Sequence, residues 1–102
     1  MIDVALMYEP ILEIVKPKVY EILDFLGAGN VINIRTLIKL FPSSVTYKRI
    51  YELYDLGLVD VRDDYIAIDG RIHRRVKLVR ITEKGKKVLK LLKEINELLR
   101  EV

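Results

Sequence analysis

The feature that most limits how this chain can fold lies between Ile34 and Gly57. Ile34, Leu37, Ile38 and Phe41 fall at i, i+3, i+4 and i+7, the spacing of an amphipathic helix of two turns, and Asn33 is a suitable N-cap. Pro42-Ser43-Ser44 interrupts the run: proline disfavours helix at Phe41, and either serine can cap a new helix. That further helix is predicted from about Ser44 to Leu56, with Gly57 as its stop. Two short helices joined by so tight a turn are the pattern of a helix-turn-helix.

The flanks extend this unit. Pro10 and Pro17 suit first positions of helices, which predicts a short leading helix near Pro10–Val15 and a main helix from Pro17 to Leu26. Val19, Ile22, Leu23 and Leu26 mark the inner face of the main helix, and Gly27-Ala28-Gly29-Asn30 ends it. Val31-Ile32 reads as a short extended piece. After Gly57 the period changes. Leu58-Val59-Asp60-Val61 and Tyr65-Ile66-Ala67-Ile68 look extended, Asp69-Gly70 is a turn signal, and Val76 to Ile81 alternates apolar and basic residues. Thr82 then caps a long helix with Glu83 in its first turn. Its apolar positions Val88, Leu92, Ile95, Leu99 and Val102 form a seam that Leu91 and Leu98 widen. The predicted fold class is α+β, a three-helix core with a β-hairpin and a long C-terminal helix. It forms one domain over residues 1–102, with an N-terminal extension over 1–16 and the last helix over 82–102.

Several function classes are disfavoured by what the sequence lacks. Cysteine is absent, so there is no disulfide framework, thiolate nucleophile or zinc ribbon. The one histidine, His73, has no partner for a metal site, and no phosphate loop or nucleophile–base spacing is present. Asp60, Asp63, Asp64 and Asp69 lack the order of a calcium loop and read as solvating the hairpin. The expectation is a binding protein, not an enzyme, with no cofactor and no metal. No apolar run approaches the roughly 20 residues of a membrane span, and Met1-Ile2-Asp3-Val4 lacks the start of a secretion signal. A cytoplasmic, nucleoid-associated protein is therefore expected.

The net charge of +3 hides an asymmetry. Between Arg71 and Lys90 nine basic residues face only Glu83, so this stretch carries 9 − 1 = +8 and the remainder 3 − 8 = −5. Such a zone suits a polyanion partner, although a solvated lysine-rich helix face gives the same pattern.

Two segments carry a family resemblance. Leu53-Tyr54-Asp55-Leu56-Gly57-Leu58-Val59 resembles the L-E-x-x-G-L-V close of the recognition helix in winged-helix regulators of the MarR, PadR and ArsR kind. Ile81-Thr82-Glu83-Lys84-Gly85 is similar to their L-T-x-x-G entry into the final helix, especially in small archaeal proteins of this type. The resemblance spans roughly residues 17–100. It implies a winged helix-turn-helix, DNA binding, and dimerisation through terminal helices. Arg49 departs from the pattern, standing where the family has an apolar residue. The segment from Val61 to Val76 is also long for a simple wing, and its carboxylates are expected to repel phosphate.

On a helical wheel Thr46, Ile50, Leu53 and Gly57 fall together toward the core, with Ser44, Tyr47, Lys48, Tyr51 and Asp55 opposite. The N-terminal half of a groove-bound helix meets base edges, which selects Ser44, Tyr47, Lys48 and Tyr51; the tyrosines have packing on a neighbouring helix as their alternative. Ser43 and Ser44 at the helix start suit a phosphate oxygen, and Arg49 is expected to reach a flanking one. In the wing, Arg71, Arg74, Arg75 and Lys77 supply the tip and return strand, where an arginine suits the narrow minor groove. Lys84, Lys86, Lys87 and Lys90 line the last helix as backbone contacts or as a solvated face.

Leu6, Val88, Leu91, Leu92, Ile95, Leu98 and Leu99 are the expected dimer interface, the alternative being that both terminal segments fold back on their own domain. The predicted function is sequence-specific binding of double-stranded DNA by a homodimeric transcription regulator. Helix 44–56 would enter the major groove, and the wing near 69–76 would meet the minor groove or backbone. A protein-interaction winged helix and a sequence-tolerant chromatin protein are the rival readings.

Overall fold

A computed structural model describes residues 10–68, 70 and 72–101. A helical segment at 10–14 is followed by α1 (Val19–Gly27), β1 (Ile32–Asn33), α2 (Ile34–Leu40), α3 (Thr46–Asp55), β2 (Val59–Ile68), β3 (Ile72–Ile81) and α4 (Glu83–Arg100). The three strands form an antiparallel sheet in the order β1-β3-β2. This α+β architecture is compatible with a winged-helix-like fold.

The periodicities define the core. Ile22, Leu23 and Leu26 of α1, Leu37 of α2, and Ile50 and Leu53 of α3 are buried together with Val59 and Val79 of the sheet. Asn33 caps α2 as expected, its Oδ1 accepting from the Arg35 N–H at 3.0 Å. Buried Thr46 donates through its hydroxyl to the Phe41 carbonyl at 2.6 Å, which closes the turn between α2 and α3 from inside. Phe41 also stands edge-on to Phe25, with ring centroids 5.8 Å apart.

Three element boundaries shift from expectation. α1 begins at Val19 instead of Pro17, because Lys18 adopts a left-handed backbone (φ 73°) that α-helix cannot continue through. α3 begins at Thr46, after a turn at Ser44 and Val45 in which the Ser43 Oγ accepts from the Val45 N–H at 3.3 Å. The hairpin arms are each one continuous ten-residue strand, longer than the sequence pattern suggested. Their register sets Asp60 opposite Arg80 and Asp63 opposite Lys77, so the charges that broke the apolar alternation pair across the strands.

The two motif segments meet. The Thr82 hydroxyl donates to the Gly57 carbonyl at 2.6 Å and accepts from the Gly85 N–H at 3.0 Å, while the Thr82 N–H donates to the Leu58 carbonyl at 3.0 Å. The Lys84 Nζ donates to the Leu56 carbonyl at 2.8 Å. Gly57 turns the chain with φ 76°, which glycine adopts without steric cost. Gly85 lies against the Leu58 carbonyl so closely that a Cβ there would collide with it and stand 2.7 Å from the Ile81 side chain. The end of α3 and the start of α4 are thus tied into one junction at the root of the hairpin.

The seam predicted along α4 divides in two. Gly85 and Leu89 are buried, and Val88 and Leu92 pack on the chain's own core. Val88 and Leu92 are thus partly buried on the chain's own core, because the first half of α4 packs on α1. Leu91, Ile95, Leu98 and Leu99 remain 50 to 79% exposed, as do Ile11, Leu12 and Val15 of the leading segment at 53 to 65%. Leu6 lies outside the described residues.

Candidate nucleic-acid interface

Tyr47 of α3, the start of α2 and the distal half of the hairpin bound a common cleft of about 510 Å³. Tyr47 approaches it from α3, Arg35 from the first turn of α2, and Arg74, Arg75 and Lys77 from β3. The helix order explains the convergence. Thr46, Ile50 and Leu53 anchor one face of α3 in the core, which turns Tyr47 and Lys48 outward.

Tyr47 is 54% exposed, and its ring lies 4.9 Å from that of Tyr51, which is half-buried against the core. Tyr51 in turn meets Tyr54 edge-on at 6.5 Å. The three tyrosines thus form a row along α3, so Tyr51 has a packing role alongside any contact it makes outward. The neighbouring Tyr51 phenol holds the Tyr47 hydroxyl above its ordinary pKa, and Tyr47 stays a protonated donor at neutral pH. Lys48 and Ser44 are exposed. Lys48 shares a shallow hollow with Tyr47, Tyr51, Glu52 and Asp55. Half-buried Ser43 is occupied in the turn before α3.

Arg49 does not join this face. Its side chain is only 11% exposed; Nε donates to the Pro17 carbonyl at 3.2 Å, and the guanidinium pairs with Glu52 at 2.6 Å. The polar position within an otherwise apolar pattern marks a tie between α3 and the segment leading into α1, not a phosphate contact. Lys16 completes the cluster, with Nζ 2.8 Å from both Glu13 and Glu52. The pairing with Glu13 through the shared Lys16 ammonium, and the hydrogen bonds Lys16 and Arg49 donate, outweigh partial burial and bring Glu52 down to about 2.

The wing cations differ in their freedom. Arg74 is exposed in the cleft and takes part in no ion pair among the described residues. Arg75 donates to Asp63 at 2.6 Å, and Lys77 lies 3.8 Å from the same carboxylate. Arg80 pairs with Asp60, and Lys86 with Glu83. Four cations of the basic stretch, Arg75, Lys77, Arg80 and Lys86, thus share three carboxylates, where the sequence pattern suggested a continuous positive field. Arg71 lies outside the described residues. Arg35 was missed by sequence reasoning. It stands isolated near the start of α2, outside the basic stretch, and only its position opposite the hairpin makes it part of the site.

A second hollow, of about 850 Å³, lies at the other end of α3 between Leu26, Tyr54, Asp60, Arg80 and Lys86. Arg80 is paired with Asp60 and Lys86 with Glu83, which leaves no concentrated field there for an ionic ligand. No cluster of His, Cys, Asp or Glu among the described residues is arranged to hold a metal ion, and no described helix is long and apolar enough to cross a membrane.

No protein-family model and no curated protein matches the sequence. The fold has solved counterparts. The crystal structure of diamide-treated YodB from B. subtilis superposes with a TM-score of 0.64 over 95% of this chain and 92% of that one, at 12% sequence identity. At that identity the likeness concerns the fold.

Proposed function

We propose that this chain is a winged helix-turn-helix protein that binds double-stranded DNA as a homodimeric transcription regulator. The observation that carries this reading is the convergence of Arg35, Arg74, Arg75 and Lys77 beside exposed Tyr47 in the N-terminal turn of α3. Lys48 and Tyr47 project from the part of a recognition helix that meets base edges, while Ser44 precedes it. Cations on both sides of the cleft would neutralise backbone phosphates, the sequence-independent part of affinity, and α3 would supply base selection. The β2–β3 hairpin acts as the wing, meeting the minor groove or backbone near its tip.

The dimer is part of the same proposal. Leu91, Ile95, Leu98 and Leu99 leave an apolar strip on the second half of α4 that the chain's own core does not cover. Two-fold pairing through this strip would set two α3 helices about 34 Å apart, one turn of B-DNA, and favour a palindromic site. The YodB structure is that of a diamide-treated protein, and diamide oxidises thiols. This chain contains no cysteine, so no thiol-based response is carried over from that likeness.

Selection from a random duplex pool tests the reading. A strong palindromic motif is the expected result. Weak, sequence-tolerant enrichment would favour a chromatin architectural protein, and no retention at any salt concentration would favour a protein-interaction module.

A further inference from the structure

Asp63 is the one carboxylate among the described residues that lines the cleft holding Arg35, Arg74, Arg75 and Lys77. Strand register brings it there: Asp63 faces Lys77 directly, and Arg75 is the next residue on that face of the hairpin. Its Oδ2 accepts from the Arg75 guanidinium at 2.6 Å, and its Oδ1 lies 3.8 Å from the Lys77 Nζ. Both cations are at least half exposed, and the Asp63 side chain is 41% exposed. The pairs thus sit in water, where ion pairs hold weakly and exchange readily.

We propose that Asp63 is an internal stand-in for a DNA phosphate, holding Arg75 and Lys77 in the free protein and competing with the duplex for both. Carboxylate and phosphate oxygens accept the same charge-assisted bonds from a guanidinium, so one anion can replace the other without new donors. Asp63 thereby sets the affinity and salt dependence of the wing. It preserves the placement of the two cations while lowering their attraction for polyanions of any sequence. This inference rests on the DNA-binding reading above.

Asp64 provides the matched control. It stands opposite Val76, accepts from the Tyr65 N–H at 2.8 Å, and does not line the cleft. Asp63→Asn and Asp64→Asn remove the same charge, one from the cleft and one beside it. Binding of parent and variants to a mixed-sequence duplex is measured across a potassium chloride series. Asp63→Asn is expected to bind about three- to tenfold tighter at low salt, with a log–log salt slope steeper by about 1, as for one more phosphate contact. Asp64→Asn should stay within about twofold of the parent, with the parent's slope. Equal effects of the two variants, or unchanged or weaker binding by Asp63→Asn, overturn the inference while leaving DNA binding in place. No binding of any variant or the parent overturns the DNA reading and this inference with it. Asp63→Ser repeats the test should the asparagine variant fold poorly.

Discussion

The root and the distal half of the β2–β3 hairpin use similar strand geometry for opposite ends. At the root, Val59, Val79 and Ile81 are buried, and Thr82 and Gly85 lock the strand ends to α3 and α4. Further out, Asp63, Arg74, Arg75 and Lys77 are exposed and carry charges held only by one another or by water. The same division runs along α4: Leu89 is buried over α1, whereas Leu98 and Leu99 face outward. Stability and candidate binding are thus separated along single elements. A change at the root should unfold the protein, and a change beyond it should leave the fold and alter what the protein holds.

The strongest break of this division is expected at Gly85. An added Cβ would collide with the Leu58 backbone carbonyl, which has no rotamer to move, so Gly85→Ala should cost about 3 kcal/mol in chemical denaturation. Leu89→Ala should cost a similar ~3 kcal/mol by leaving a cavity between α4 and α1. Neither cost is expected from changes in the distal half. If both variants kept the parent's midpoint, the root would not anchor the fold.

Beyond the root, replacing Ile95 and Leu99 together by Glu should leave the monomer folded, since both side chains are mostly exposed. Sedimentation should then show monomer where the parent is expected to sediment as a dimer; an unchanged species would move the interface elsewhere. Arg74→Ala should alter the melting temperature little and flatten the salt slope of duplex binding by about 0.9, the contribution of one phosphate contact. A parent-like slope would remove Arg74 from the interface.

The smallest effect concerns acid. The Glu52 carboxyl is held down to about 2 in the folded chain. Because its pKa falls on folding, its stabilisation is present above the ordinary carboxylate value of 4.5 and is lost as pH falls toward 2. Glu52→Gln should therefore lower the melting temperature at neutral pH by ~4 °C and flatten its decline across the acid range. A variant that declines as steeply as the parent would assign that sensitivity to other carboxylates.

Much of the scaffold was legible because it obeys local rules. Asn33 and Thr82 cap the helices they precede, Gly57 ends the α3 run, and the inward set Thr46, Ile50 and Leu53 is set by helical periodicity. These depend on backbone geometry and on the spacing of apolar residues, both encoded within a few positions. The same arithmetic places Tyr47 and Lys48 on the outward side of α3.

Only tertiary structure decided which charges are free. Arg49 reads as a boundary cation in sequence, yet it is spent on Pro17 and Glu52, residues brought together by the packing of α3 on the segment leading into α1. Arg75 and Lys77 belong to a basic stretch of +8, yet the ten-residue register sets Asp63 against them. Val88 and Leu92 share a heptad-like seam with Leu99, yet the end of the core divides that seam between inside and outside. In each case at least one deciding partner lies outside the local stretch of chain. Residue type and spacing determine which groups a chain presents along an element, but neutralisation and burial depend on what the fold sets opposite them.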